Sequence, residues 1–234
     1  MTYRELVYMA LDALKIHSDD SKFTEDHVIF LLNKYRAYAL HQKYSKTLEG
    51  VNNRNYQTIQ VSIKYLESNR LEGEYYARSD KSIPNILTIT LPEVWRDEFR
   101  NEECVYTTDK RLKYTGNNRF LKKTIYCSVS NENKLWIKST NVDVKTISYV
   151  FLYAVFSDPI EAYNFVTSTE DILDLDFPLE DVLVPSVLEL VLKDLTNGIY
   201  KPSDTTNDAQ DALSDLAGFL RRNMKSQFQK QIDE

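Results

Sequence analysis

The chain has 234 residues and a formal net charge of −6, which argues against a protein that binds nucleic acid through overall basicity. Glycine is scarce (5) and tyrosine abundant (16); the glycines never cluster, so no phosphate-cradling loop exists, while tyrosine suits wet or intersubunit surfaces as well as cores. The length allows one elaborated domain or two small ones, either able to bury a real core. Cys104 and Cys127 form no metal or redox motif, and reduced thiols are expected. The first residues, MTYRELVYMALDALKI, carry charges inside their apolar pattern and lack a signal-peptide core, so export by that route is not expected.

Thr2 and Glu5 have the spacing of a capping box, which opens a helix over about 2–15 with Leu6, Val7, Ala10, Leu11 and Leu14 as its buried stripe. Thr24 caps a second helix that runs to about Tyr44, with Glu25 and Asp26 in its first turn where the helix dipole favours them. Val28, Leu31, Leu32, Tyr35 and Ala39 make one stripe of this helix, and Phe30, Tyr38 and Tyr44 sit toward another. The two helices form a hairpin with apolar faces to cover.

From Tyr56 the period changes: Ile59, Val61, Ile63 and Tyr65 alternate with Gln60, Ser62 and Lys64, the pattern of a half-buried strand. Further strands are expected at 86–90, 104–107, 120–129, 134–138 and 147–156, with Ser130-Asn131-Glu132-Asn133 as a hairpin turn and Pro92-Glu93-Val94-Trp95 as a helical turn. A short helix follows at 160–166. In the stretch FPLEDVLVPSVLELVLKDLTNG, apolar residues from Val182 to Leu195 cover far more than one helical face. Such a helix reads as a buried central one, starting near Pro185 and stopping at Asn197-Gly198, with Leu188 and Leu192 fully buried. After a polar linker at 202–207, a last helix carries Ala209, Leu213, Leu216, Leu220, Met224 and Phe228 as a narrow stripe.

The expected fold class is therefore α+β: a helical bundle, built from the N-terminal hairpin plus the central and C-terminal helices, with an inserted, mostly antiparallel β module. Its parts are 1–55, 56–156, 157–200 and 201–234.

Charge is split along the chain. No Lys or Arg occurs from Ser157 to Leu192, whereas Lys110, Arg111, Lys113, Arg119, Lys122 and Lys123 crowd one segment of the β module. Either both are solvated surface, or they are complementary patches on an associating protein. No catalytic, cofactor or metal site is assigned. His27 and His41 lie 14 residues apart on one helix, about 21 Å by helical rise, too far to share a metal. The carboxylates Asp171, Asp174, Asp176, Glu180 and Asp181 fail as a calcium loop, because Leu179 stands where a glycine is needed and Pro185 where a glutamate is needed. Two readings remain for them: an acidic approach to a helix N-terminus, or the acid–base pair of a cell-wall hydrolase or nuclease.

The stretches RELVYMALDALKIHSDD and FTEDHVIFLLNKYRAYALHQKY resemble the opening of the head-to-tail adaptor proteins of short-tailed phages. Together with FPLEDVLVPSVLELVLKDL, they look closer still to a ring protein of the crAss-like phages. The resemblance implies a virion structural protein, not an enzyme and without cofactor. It implies a homo-oligomeric ring, a dodecamer, beneath the portal protein at the head–tail junction. The ring would be assembled in the host cytoplasm, meet further tail or ring proteins, touch no membrane and pass DNA through its bore. On this reading Lys110, Arg111, Lys113, Arg119, Lys122 and Lys123 face the DNA channel through sequence-independent phosphate contacts. Leu213, Leu216, Leu220, Met224 and Phe228, with Arg221, Arg222 and Lys225 beside them, would dock the last helix into a groove of the portal or a neighbour. The alternative for that stripe is that it folds back on its own bundle. A soluble intracellular binding module with no virion role is the remaining reading of the whole chain.

Overall fold

The computed structural model describes residues 1–17, 23–45, 50–67, 74–115, 121, 123–166 and 171–196. The expected linker, the stop at Asn197-Gly198 and the last helix lie outside the described residues, as do Arg119 and Lys122.

Local rules hold well at the N-terminus. Helix α1 (Tyr3–His17) opens on the capping box, Glu5 N donating to Thr2 Oγ1 at 3.3 Å and Thr2 N to a Glu5 carboxylate oxygen at 3.0 Å. Helix α2 (Glu25–Tyr44) is capped by Thr24, which accepts from His27 N. Leu6, Val7, Ala10 and Leu14 of α1 pack with Val28, Leu31, Leu32, Ala39 and Leu40 of α2. They are closed over by α5 (Val184–Thr196) through Val184, Val187, Val191 and Leu195, spaced one helical turn apart.

The middle of the chain departs from expectation. Strands β1 (Gln57–Leu66), β2 (Tyr75–Ser79), β3 (Glu93–Trp95), β4 (Glu103–Tyr106), β5 (Tyr126–Val129), β6 (Leu135–Ser139) and β7 (Tyr149–Ala154) close into a barrel of order β1-β2-β6-β5-β4-β3-β7. Closure depends on β1, whose residues 57–62 pair with β7 and 63–66 with β2, so one long strand serves both neighbours. All the pairings are antiparallel except β4 with β5, which is parallel. A parallel pair needs a crossover, and the chain between β4 and β5 supplies it, with helix α3 (Asp109–Leu112) packed against β5.

The fold is thus a closed seven-stranded barrel with five helices among the described residues, and not a helical bundle with an inserted β module. The physical reason is that the strands bury their apolar faces on one another. Ile59, Val61, Ala77, Val94, Cys104, Cys127, Leu135, Ile137, Val150 and Leu152 form a core of their own, separate from the helical one. Helix α4 (Pro159–Val166) packs on β1 and helps close this core with Ala162.

Smaller corrections follow from the same geometry. Residues 86–90 form no strand beyond a single bridge between Ile86 and Phe156, and Glu93–Trp95 is a strand where a helical turn was expected. Leu188 and Leu192 are only partly buried, and Val182 is 78% exposed. Helix α5 has α1 and α2 on one side and solvent on the other, so it is amphipathic and not a core helix buried all round. The turn 130–133 does join β5 to β6, with Ser130 N donating to Lys134 O and Asn133 in the left-handed region at φ 55°.

Candidate functional site

The acidic stretch after α4 is drawn into ion pairs with the N-terminal half of the chain. Arg4 of α1 meets Asp174 at 2.8 Å and Asp171 at 3.4 Å. Arg54, just before β1, pairs with Asp181. These pairs are exposed, and each contributes little by itself. Glu180 differs, being buried between Lys43 Nζ at 2.9 Å and Tyr44 Oη at 2.7 Å. Burial by itself would raise its carboxyl, but the hydrogen bonds from Tyr44 and Lys43 outweigh that and hold it below the usual glutamate range. A general acid needs the opposite shift. Glu180 and the paired aspartates therefore read as a latch between the segment leading into α5 and the N-terminal half of the chain.

Beside this latch lies a joint that the sequence analysis missed. Arg36, in the middle of α2, is completely buried, and its guanidinium hydrogen-bonds to three backbone carbonyls. Its Nε donates to Pro178 O at 2.7 Å, Nη1 to Phe156 O at 2.8 Å and Nη2 to Asn55 O at 3.1 Å. These carbonyls belong to the entry to α5, the exit of β7 and the entry to β1, so one guanidinium ties the helices to one end of the barrel. Burial pushes its pKa down to about 10, which leaves it charged at neutral pH. Around it, Tyr3 Oη donates to Asn33 Oδ1 at 2.7 Å, Asn33 Nδ2 to Asp158 Oδ1 at 3.1 Å, and Glu180 N to Asn55 Oδ1 at 3.0 Å. The signal was present: Arg36 stands four residues from both Leu32 and Leu40, in the centre of the apolar stripe.

The basic segment maps to the crossover. Lys110, Arg111, Lys113 and Lys123 are exposed, together with Tyr114 at 78%. The segment is pinned from beneath by Lys138 of β6, which is fully buried although it sits on the outer face of the barrel. Its Nζ donates to Lys113 O at 2.9 Å, lies 3.2 Å from a Glu74 carboxylate oxygen, and faces the Tyr76 ring at 5.4 Å. Within the barrel wall, Cys104 and Cys127 are buried and unlinked; burial pushes the Cys104 thiol up to about 12 and Cys127 well above its ordinary value, so neither is a reactive thiol. Among the described residues no three His, Cys, Asp or Glu side chains gather to hold a metal, and no helix is long and apolar enough to cross a membrane.

What the surface offers is therefore charge, exposed aromatic side chains and a rigid frame. Comparison with known proteins gives that frame a family. Residues 5–215 match the profile of phage tail ring protein 2. The chain belongs to this family. It is also 39% identical over 223 residues to ring protein 2 of Bacteroides phage crAss001, an alignment covering 92% of this chain and 99% of that protein. The resemblance carried by the helical stretches thus extends across the barrel, and the chain is a structural ring protein of a phage tail. Of the C-terminal stripe, Ala209 and Leu213 fall inside the matched span, and Leu216 to Phe228 fall beyond it.

Proposed function

We propose that this ring protein is a head–tail connector: a dodecamer beneath the portal whose bore passes DNA. Membership of a tail ring family over 5–215 is the observation that carries this reading. The exposed Lys110, Arg111, Lys113 and Lys123, with Arg119 and Lys122 in the same stretch of sequence, support a channel-facing role for the crossover. Contacts there have to let DNA slide, so they are directed at phosphate and weaken as salt rises. The tail from 201 acts as a separate docking unit: Leu213, Leu216, Leu220, Met224 and Phe228 seat in an apolar groove of the portal or a neighbour, and Arg221, Arg222 and Lys225 meet acidic residues around it. The ring is assembled in the host cytoplasm, contacts further tail proteins on its other face, and works by assembly and not by turnover.

Light scattering after size exclusion, on the chain alone and mixed with its portal, tests the reading. A portal complex that forms with the full chain and is lost on truncation after Pro202 supports it. A truncated chain that binds the portal with parental affinity sinks the docking role, and a full chain that never joins the portal sinks the connector role. For the channel, replacing Lys110, Arg111 and Lys113 by Gln lowers DNA affinity and flattens its salt dependence; unchanged salt dependence removes the segment from the bore.

A further inference from the structure

The hairpin joining β3 to β4 is built to present one side chain. Asp97 accepts from Asn101 N at 2.9 Å, Asn101 Nδ2 at 2.6 Å and Glu102 N at 3.3 Å, and Arg96 pairs with Glu102 at 2.8 Å. Arg100 is held in the left-handed region at φ 56°, uncommon for a residue other than glycine, with its guanidinium 4.3 Å from the centre of the Tyr153 ring. Tyr153 is in turn stacked on Tyr56 at 4.4 Å. All of this ordering fixes a turn whose apex, Phe99, is 84% exposed, the most exposed large apolar side chain among the described residues. A rigid turn around a bare aromatic ring loses little entropy when the ring is inserted elsewhere.

At the other end of the same hairpin lies an open groove of about 430 Å³. Ile86, Ile89, Leu91, Pro92, Tyr106 and Val129 give it apolar surface beside Asn85, Thr88, Thr90 and Asn133, and Leu91 on its lip is 71% exposed. Strand β3 runs from the groove toward the Phe99 turn, and the bare Phe99 ring does not fill the groove of its own chain. Two different patches on opposite ends of one element make a heterologous contact when copies meet, and such a contact generates a ring when its rotation closes.

From this geometry we infer that Phe99 of one copy seats in the 86–92 groove of the next, forming the repeating contact of the ring. The inference rests on self-assembly of the chain as proposed above. It requires neither the portal nor the tail beyond 201.

Phe99→Ser and Thr88→Trp, the latter filling the groove from its exposed rim, are measured beside the parent by sedimentation velocity on the full chain. Each variant weakens self-association by at least about 30-fold, as expected for an aromatic anchor, while circular dichroism and thermal melting stay parental. In parallel, Phe99→Cys and Thr88→Cys chains are oxidised separately and mixed. A cross-linked dimer that appears only on mixing supports the contact, and the buried Cys104 and Cys127 do not compete. If the parent forms rings and Phe99→Ser forms them equally well, or if rings form and the mixed cysteines stay unlinked, the knob-and-groove contact is wrong and the ring reading stands. If the parent is monomeric at every concentration and no cross-link forms, self-assembly itself is wrong. A monomeric parent whose mixed cysteine variants still cross-link supports a weak contact of the inferred kind.

Discussion

Inside the barrel the chain buries every second residue: Ile59, Val61 and Ile63 on β1, Leu135 and Ile137 on β6, Val150, Leu152 and Ala154 on β7. Beneath the helices it buries Asn33, Arg36, Asn55 and Glu180 as well as leucines and valines. The first region also buries Gln57, Ser79, Ser128 and Ser139, but its apolar positions are specified by alternation and volume, so many side chains of similar size would satisfy those. The second is specified by directional bonds to named carbonyls and carboxylates, so few changes are tolerated. The end of the barrel and the helical layer are held in register by the less forgiving of the two.

The largest expected break in this contrast is Arg36→Met. It leaves the carbonyls of Pro178, Phe156 and Asn55 without their donor and costs roughly 3–5 kcal/mol in urea unfolding. The unfolding transition should also split, helices before barrel, because the joint between them is gone. A single parental transition would show that packing alone couples the layers. Next come Ile137→Ala in the barrel and Leu195→Ala on α5, both buried in separate cores, each costing about 2–5 kcal/mol. Combined in one chain their effects should add within about 0.5 kcal/mol, and a larger coupling would mean that the two cores are one.

Lys138→Met sharpens the comparison on the barrel's outer wall, where a buried ion pair departs from the rule. It removes the donor of the Lys113 carbonyl and leaves Glu74 with its bond from Tyr76 Oη, costs about 1–3 kcal/mol, and should raise hydrogen exchange in the crossover before the strands. Glu180→Gln is expected to have the smallest effect, about 1 kcal/mol at neutral pH. Because the folded protein holds the Glu180 carboxyl below its ordinary value, its ionised form is the one the fold favours. That contribution is fully present above the ordinary glutamate range and is lost as pH falls through the lower folded value. Parental and variant stabilities should converge on acidification, and curves that stay parallel down to that pH would refute the assignment.

The same contrast explains what was legible in the sequence. The capping box, the stripes of α1 and α2 and the alternation from Ile59 to Tyr65 in β1 are local patterns, and each was read from residues close together. Strand β2, Tyr75-Tyr76-Ala77-Arg78-Ser79, shows no clean alternation, because Tyr75 packs half-buried on the core side while Tyr76 and Arg78 are half-covered on the outer face. Strand β3 is three residues long behind a proline. Barrel closure depends on the pairing of β1 with β7 and the parallel pairing of β4 with β5, and no local period records either. The basic residues of the crossover were visible as composition, but what holds them, the Lys138–Glu74 pair, joins positions 64 apart in the chain.

Closure has one more consequence for a protein that works in many copies. In an open sheet the outermost strands carry unpaired N–H and C=O groups that a neighbouring chain can extend, which is the commonest path to uncontrolled fibre growth. Here β1 and β7 satisfy each other, so the sheet offers no such edge. Copies of this chain must recognise one another through side chains and loop tips. Such contacts fix an angle between neighbours, and a fixed angle lets an assembly count its members and stop.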